Sequence, residues 1–593
     1  MATVVLQFAG SALGALIGGP VGGIIGRAVG AIAGNMLDQT IFGSGTRRIE
    51  GPRLGDTHVM TSSEGAPIPR LWGRMRVPGQ VIWATNLQEV VTTSTDSGGS
   101  KGGPKIKNVE YEYFANFAVA LCEGTIDRIG RVWADGKDFD VSELTYRLYR
   151  GTETQQPDSL ILAKEGAGNA PAYRGTAYIV FERMPVTDFG NRLPQLSFEV
   201  HRAAGGAERH VRAVNIIPGS TEFGYDTTVV AREAGDGITE NENAHAASGR
   251  SDWTVSIDDL TATCPNLTAA SLVVAWFGTD LRCGQTQIRP GVENTTKTTS
   301  PVTWRVSNAD RDAAHVVSSS GGGPAYGGTP SDAAVIRAIR DLNGRGLKTV
   351  FYPFILMDIA QGNALPDPYG GASQAPYPWR GRITCNPAPG LSGSADKTAA
   401  CASQVQDFVG TANPGDFSAS GMAIDYSGPT EWGYRRMVLH YAKLCALAGG
   451  VDAFLIGSEL RGLTTLRGTG NSFPFVSALA DLANDVKSML PAAKISYAAD
   501  WSEYFGHQPA DGSQDVFFHL DPLWSSSAID FIGIDDYMPL TDWRDGSQHL
   551  DRLAGVKSIY DLDYLESRIT GGEGYDWYYA SAAAREEDRK SVV

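Results

Sequence analysis

Carboxylates stand at the ends of the apolar runs in the latter part of this 593-residue chain. Asp280 closes SLVVAWFGTD (271–280) and Asp358 closes TVFYPFILMD (349–358). Glu459 stands in DAFLIGSEL (452–460), Asp500 and Glu503 end or follow KISYAADW (494–501), and Asp535 with Asp536 end DFIGIDDY (530–537). Acids that converge at one place can supply a general acid, a general base or a nucleophile. The alternative is that each acid caps a following helix or sits in a solvated loop. Aromatic residues follow the same runs: Tyr369, Tyr377 and Trp379 after TVFYPFILMD, Trp501 and Tyr504 at and after the end of KISYAADW, Tyr537 and Trp543 at and after the end of DFIGIDDY. Flat rings stack on sugar faces, although in loops they also serve as packing. His507, His519 and Asp500 lack metal-ligand spacing, so no metal is assigned, and no cofactor.

These positions need a scaffold that brings strand ends together. The runs above, with AVNIIPG (213–219) as a sixth, alternate with helical stretches such as SDAAVIRAIRDLNGRG (331–346) and TEWGYRRMVLHYAKLCALAGG (430–450). The first helix opens on a Ser cap and both end at Gly. Strands alternating with helices predict parallel β/α units, and in a (β/α)₈ barrel all C-terminal strand ends face one mouth. Only six strand runs can be counted before Val593, so the barrel expected over 203–593 is incomplete, with sheet edges left open.

Upstream, residues 46–202 show short alternating runs with DG and GN turn signals, which predicts a β-rich binding or assembly module. No nucleophile–base pair stands out there. Residues 1–45 differ again. Gly10, Gly14, Gly18, Gly22, Gly26, Gly30 and Gly34 fall at strict i+4 intervals in a small, apolar stretch. On a helix they form one stripe that lets another helix approach closely. So much glycine costs about 0.8–1 kcal/mol per residue relative to Ala in water, so a helix here needs a partner. A secretory signal fits poorly, because no basic residue precedes the apolar run. A membrane span over 4–34, interrupted by Pro20 and Arg27, and a bundle of identical helices in an oligomer both remain open.

Composition narrows the function classes. With 50 Lys+Arg against 66 Asp+Glu the net charge is −16, which argues against direct nucleic-acid recognition. An apolar fraction of 42% with 20% charged residues is that of globular chains. Six cysteines with no C-x-x-C pair argue against a zinc site or a disulfide scaffold. Cys385 and Cys401 flank a Gly/Pro/Ser-rich loop and are read as reduced thiols rather than a bridge.

Several motifs in fixed order carry a resemblance. FAVALCEG to RVWADGK (117–137), LYRGTETQQPD (148–158), APAYRGTAYIVFE (170–182) and FGNRLPQLSFEV (189–200) resemble the tail-tip proteins of siphophages, and especially the large baseplate protein of gene transfer agents. The resemblance implies a multidomain α+β and α/β chain. It has an N-terminal Gly-rich helix, a β-rich phage tail hub domain, and a TIM-barrel-like domain similar to glycoside hydrolases. It also implies a homotrimer, made in the bacterial cytoplasm and placed at the tail tip, contacting other tail and baseplate proteins and host envelope polysaccharide. FLIGSELRGL is similar to the fourth-strand motif of such barrels, which gives Glu459 the acid/base position, with Ser458 where Asn is usual. A general acid there would need a pKa raised by burial or by a neighbouring acid. The nucleophile of those enzymes ends a seventh strand, which is not found in this chain; it is expected to be a fragment or truncated form that binds glycan without turning it over. Asp500, Asp535 and Asp536 are weaker catalytic candidates, and Tyr377, Trp379, Trp501, Tyr537 and Trp543 are the substrate-binding candidates. The rival readings are a glycoside hydrolase acting through Glu459 and a membrane-penetration device acting through the glycine ladder.

Overall fold

The computed structural model describes residues 60, 65–96, 106–203, 206–217, 219–235, 237–503, 506–537, 541 and 543–569. The glycine ladder of residues 1–45 lies outside them. Among the described residues no helix is long and apolar enough to cross a membrane.

The β-rich part is two antiparallel sheets. Strands β1 (Gly73–Pro78), β5 (Arg128–Ala134), β6 (Lys137–Asp138) and β9 (Leu196–Arg202) form one, in the order β1-β9-β5-β6. The other contains β2 (Gln80–Ala84), β3 (Gln88–Asp96), β4 (Ile106–Glu123), β7 (Thr145–Arg150) and β8 (Thr176–Pro185), in the order β2-β4-β8-β7 with β3 also on β4. Apolar side chains from both sheets, including Val77, Phe117, Val119, Val132, Phe181 and Phe198, close one core. Phe117 and Phe181 stack with centroids 5.1 Å apart. Gly79, between β1 and β2, is required by that closeness: a Cβ there would lie 2.3 Å from Val119 Cγ1.

The LYRGTETQQPD motif has a structural use. Asp158 caps helix α1 (Ser159–Glu165), accepting from Leu160 N at 2.8 Å and Ile161 N at 3.2 Å. It also accepts from Arg147 Nε at 2.6 Å and the Tyr149 hydroxyl at 2.9 Å, with its side chain fully buried. Burial alone would raise this carboxyl, but Arg147, Tyr149 and the helix amides outweigh it and hold it below the usual range. Removing a buried partner of this kind typically costs about 3–5 kcal/mol. Asp158→Ala is therefore expected to lower the unfolding midpoint in denaturant titration by a corresponding amount, and an unchanged midpoint would refute this role.

The second half builds the mouth. Strands β10 (Ala213–Ile216), β11 (Ala269–Gly278), β12 (Lys348–Met357), β13 (Ala453–Ser458), β14 (Lys494–Asp500) and β15 (Gly533–Asp535) pair in parallel, each beside the next in chain order. These are the six runs expected from the sequence. The two helices read there form as α3 (Asp332–Gly344) and α5 (Tyr434–Ala448), joined by α2 (Asp252–Thr263), α4 (Ala399–Val409) and α6 (Pro474–Met489). Ser331 caps α3 through its hydroxyl.

Alternation along each strand sorts the side chains into two layers. Leu272, Val274, Trp276, Phe351, Phe454, Ile456 and Ile495 pack under the helices in the main core. Val273, Tyr352, Leu455 and Ala498 form a separate cluster on the opposite face. The sheet must curl around that second face. Tyr352 on β12 donates to Asp535 on β15 at 2.9 Å, although three inter-strand steps would separate them by about 14 Å in a flat sheet. Arg128 of β5 ties the β-rich part to α2, bonding Asp259 and, at 2.7 Å, the Thr263 hydroxyl.

Candidate functional site: an acid-lined barrel mouth

The end of β13 is irregular. Its register with β14 shifts between Leu455 and Ser458, and Glu459 then adopts φ 49°, a left-handed backbone unusual for a residue with a Cβ. Such strain costs on the order of 1–3 kcal/mol and collects where function fixes geometry. The turn is held by Glu459 N donating to Ala498 O at 2.9 Å and Leu460 N donating to the Tyr497 hydroxyl at 2.7 Å. Gly457 does not open space beside the carboxyl. Instead its missing Cβ makes room for Tyr434, whose hydroxyl oxygen would lie 1.9 Å from it.

The buried Glu459 carboxylate accepts from the Trp379 indole at 2.7 Å, and its Oε2 lies 3.0 Å from Arg380 Nη2. Arg380 is itself fixed, donating to Ser458 O at 2.9 Å and Ser458 Oγ at 2.8 Å and lying 3.8 Å over the Phe354 ring. Ser458 thus serves as the anchor of this arginine.

Asp535 faces the same carboxyl. Burial and the charge and hydrogen bond of Glu459 push it up to about 6, against the Tyr352 hydroxyl and Arg380, which lower it. Tyr537 is exposed, and its phenol is raised by burial first and then by the charge of Glu459. The register sets Asp500 directly beside Asp535. Asp500 is buried and accepts from Ser502 N at 3.0 Å. Its own amide donates to Glu503 at 2.8 Å. Glu503 is buried, takes Thr464 Oγ1 at 2.6 Å and the Tyr497 hydroxyl at 3.2 Å, and is pushed up to about 7 by burial.

Other acids have separate tasks. Asp280 is locked by Arg282 at 2.6 Å and Gln374 at 2.7 Å, which orders the loop after β11. Asp358 takes His315 Nε2 at 2.7 Å and Ser318 Oγ at 2.6 Å, and Ser318 lies 3.1 Å from the Tyr377 hydroxyl. Burial would raise Asp358, but His315 and Ser318 hold it below the usual carboxylate range.

The structure therefore brings Glu459, Asp535, Tyr537 and Trp379 together, with Asp500 alongside. Tyr377 joins the neighbouring Asp358 group. Trp501 lies half-buried in the turn after Asp500, and Trp543 packs on His549 and Tyr564 at centroid distances of 4.5 and 6.3 Å. Asp536 is exposed after β15. Arg380 and Tyr352 were not singled out from the sequence; the adjacency of Arg380 to Trp379 and a tyrosine inside an apolar strand were the available signals. All six cysteines are buried free thiols.

A parallel, helix-covered sheet whose strand ends bring carboxyls and an indole together defines a barrel-like, acid-lined mouth. Residues 432–593, which include Glu459, Asp500 and Asp535, match the GTA TIM-barrel-like domain. A chain of the virion of a native gene transfer agent (GTA) particle is 46% identical over 33% of this chain and 39% of its own length, with a TM-score of 0.21. This chain thus spans about two-fifths of that relative. The likeness to gene-transfer-agent proteins read from the motifs of 117–200 is borne out. A GH113 β-1,4-mannanase is 15% identical over 51% of this chain and 58% of its own, with a TM-score of 0.23. The GH113 β-mannanase of Alicyclobacillus acidocaldarius is 13% identical over 53% and 66%, with a TM-score of 0.22. No curated protein matches the chain.

Proposed function

We propose that this protein is a structural component of a phage-like particle of the gene-transfer-agent type. In this reading it is the baseplate hub at the tail tip, with the barrel mouth binding polysaccharide of the host envelope. The observation that carries the reading is the 46% identity to a chain of a GTA virion, together with the GTA TIM-barrel-like domain. The segment 46–202 docks to other tail proteins, and the segment 203–593 faces the envelope. Immunogold labelling of purified particles tests the placement: label at one tail end supports it, and label on the head or none on particles refutes it.

The glycine ladder of residues 1–45 supplies the contact for a homotrimer, because a helix so rich in glycine has no stable monomeric use in water. Native mass measurement should give a trimer for the full chain and a smaller species when 1–45 are deleted. The same number of subunits in both would remove this role from the ladder.

A second reading, hydrolysis of the bound glycan, is favoured by one observation: Glu459 and Asp535 meet at the mouth, one beside strong donors and the other with its carboxyl raised. Loss of a general acid or base typically costs ~10²–10⁴-fold in rate. If reducing ends are released from envelope polysaccharide, Glu459→Gln should lower the rate by that factor with the fold retained. Release that survives the substitution would exclude Glu459 from the chemistry.

A further inference from the structure

Glu459 has a left-handed backbone, and a residue with a Cβ stays there only when its surroundings hold it. Two planar peptides flank it, so fixing both planes sets its φ and ψ and the direction of its side chain. The plane before it is held by Glu459 N donating to Ala498 O at 2.9 Å. The plane after it is held by Leu460 N donating to the Tyr497 hydroxyl at 2.7 Å. That hydroxyl has one proton of its own to give, and its acceptor is Glu503, at 3.2 Å from Oε1 and 3.4 Å from Oε2. The Glu503 carboxylate also accepts from Thr464 Oγ1 at 2.6 Å and Asp500 N at 2.8 Å. Thr464 ends the short helix Arg461–Thr464 that leaves the Glu459 turn, and Asp500 ends β14. Glu503, Tyr497 and Thr464 are each at most 1% exposed, so bulk water cannot replace a lost partner.

We infer that Glu503 is a positioning residue of the barrel mouth: through the Tyr497 hydroxyl and the Leu460 amide it holds the Glu459 turn, and so sets the Glu459 carboxylate against Trp379 and Arg380. A carboxylate suits this place because it accepts at both oxygens and the three groups that meet it donate. A glutamine side chain of the same size fails in either orientation. One sets its N–H₂ against the Asp500 amide, donor to donor; the other takes away the acceptor of the Tyr497 proton. Without that acceptor the hydroxyl is no longer aimed, and among the described residues Leu460 N has no other hydrogen-bond partner. The inference rests on the reading of the mouth as the binding site, and adds to it a residue that acts on Glu459 through another side chain.

The test needs no glycan, so its failure is distinct from failure of glycan binding. The Trp379 indole N–H donates to Glu459 at 2.7 Å and reports where that carboxylate stands. The full chain, labelled with ¹⁵N at its 12 tryptophans, is observed by NMR at pH 8, above the value of about 7 to which burial raises Glu503. The Trp379 signal is assigned by its loss in Trp379→Phe. Glu503→Gln is expected to move the Trp379 indole proton upfield, as its bond to Glu459 weakens, while the signals of Trp133 and Trp253 stay in place. Tyr497→Phe keeps the ring and removes the link, so it is expected to give the same shift, and the double variant no further one. If Glu503→Gln does not fold, Tyr497→Phe decides the matter by itself. An unmoved Trp379 signal in a folded variant, a shift shared by Trp133 and Trp253, or shifts that add in the double variant would overturn the inference.

Discussion

Arg380→Met is expected to unfasten the barrel mouth and to destabilise the protein by about 3–5 kcal/mol, the usual result of removing one partner of a buried ion pair. Arg380 is buried and holds three groups at once: the Glu459 carboxylate, the Ser458 carbonyl and the Ser458 hydroxyl. Methionine keeps much of the packing on Phe354 but leaves Glu459 with a buried charge answered by the Trp379 indole alone on that oxygen. The double substitution Arg380→Met with Glu459→Gln should recover a large part of the lost stability, because no unpaired charge remains. Denaturant titration of the four proteins measures this coupling. Additive losses would mean that the pair does not hold the mouth.

The second large effect is acid destabilisation through the loop that follows β14. His519 is buried, and neither ring nitrogen has a hydrogen-bond partner. Its ring lies 5.9 Å from that of His507. Burial is the main cause that lowers both imidazoles to about 4; Arg467 adds to it at His507, and His507 itself adds to it at His519. A histidine with a folded-state pKa below its unfolded value, about 6.5, stabilises fully above pH 6.5. That stability is lost as pH falls from 6.5 through about 4. For His519 the full loss is on the order of 3 kcal/mol, and for the more exposed His507 it is smaller. Stability measured between pH 7 and 4 should therefore fall less steeply in His519→Phe, which keeps the ring and cannot be protonated. A parallel profile in the variant would rule out His519 as the source.

The strands of the barrel were legible because each is a short apolar run closed by turn residues, and all six found their neighbours in chain order. α3 and α5 were legible for a related reason: a Ser cap or a long apolar face, and glycine after the last turn. The chemistry of the mouth was legible only in part. Strand ends marked Glu459 and Asp535, but periodicity reports which face a residue takes, not which distant loop returns to it. Trp379 reaches Glu459 across 80 positions and Tyr352 reaches Asp535 across 183. The same limit explains the acids that went elsewhere. Asp280 is taken by Arg282, only two positions on, which makes it an anchor for its own loop. Gly457 shows the converse: its small size serves a tyrosine from the helix layer, which no local pattern announces.

The claim that the mouth around Glu459 receives an envelope glycan is tested most directly by calorimetric titration of the full chain with purified host envelope polysaccharide. The same titration is run with Trp379→Ala and Glu459→Ala, both checked for fold by circular dichroism. The account predicts saturable binding by the unaltered chain, weakened at least about tenfold in each variant, equivalent to ~1.4 kcal/mol. Absence of binding by the unaltered chain, or equal affinity in all three, would contradict it.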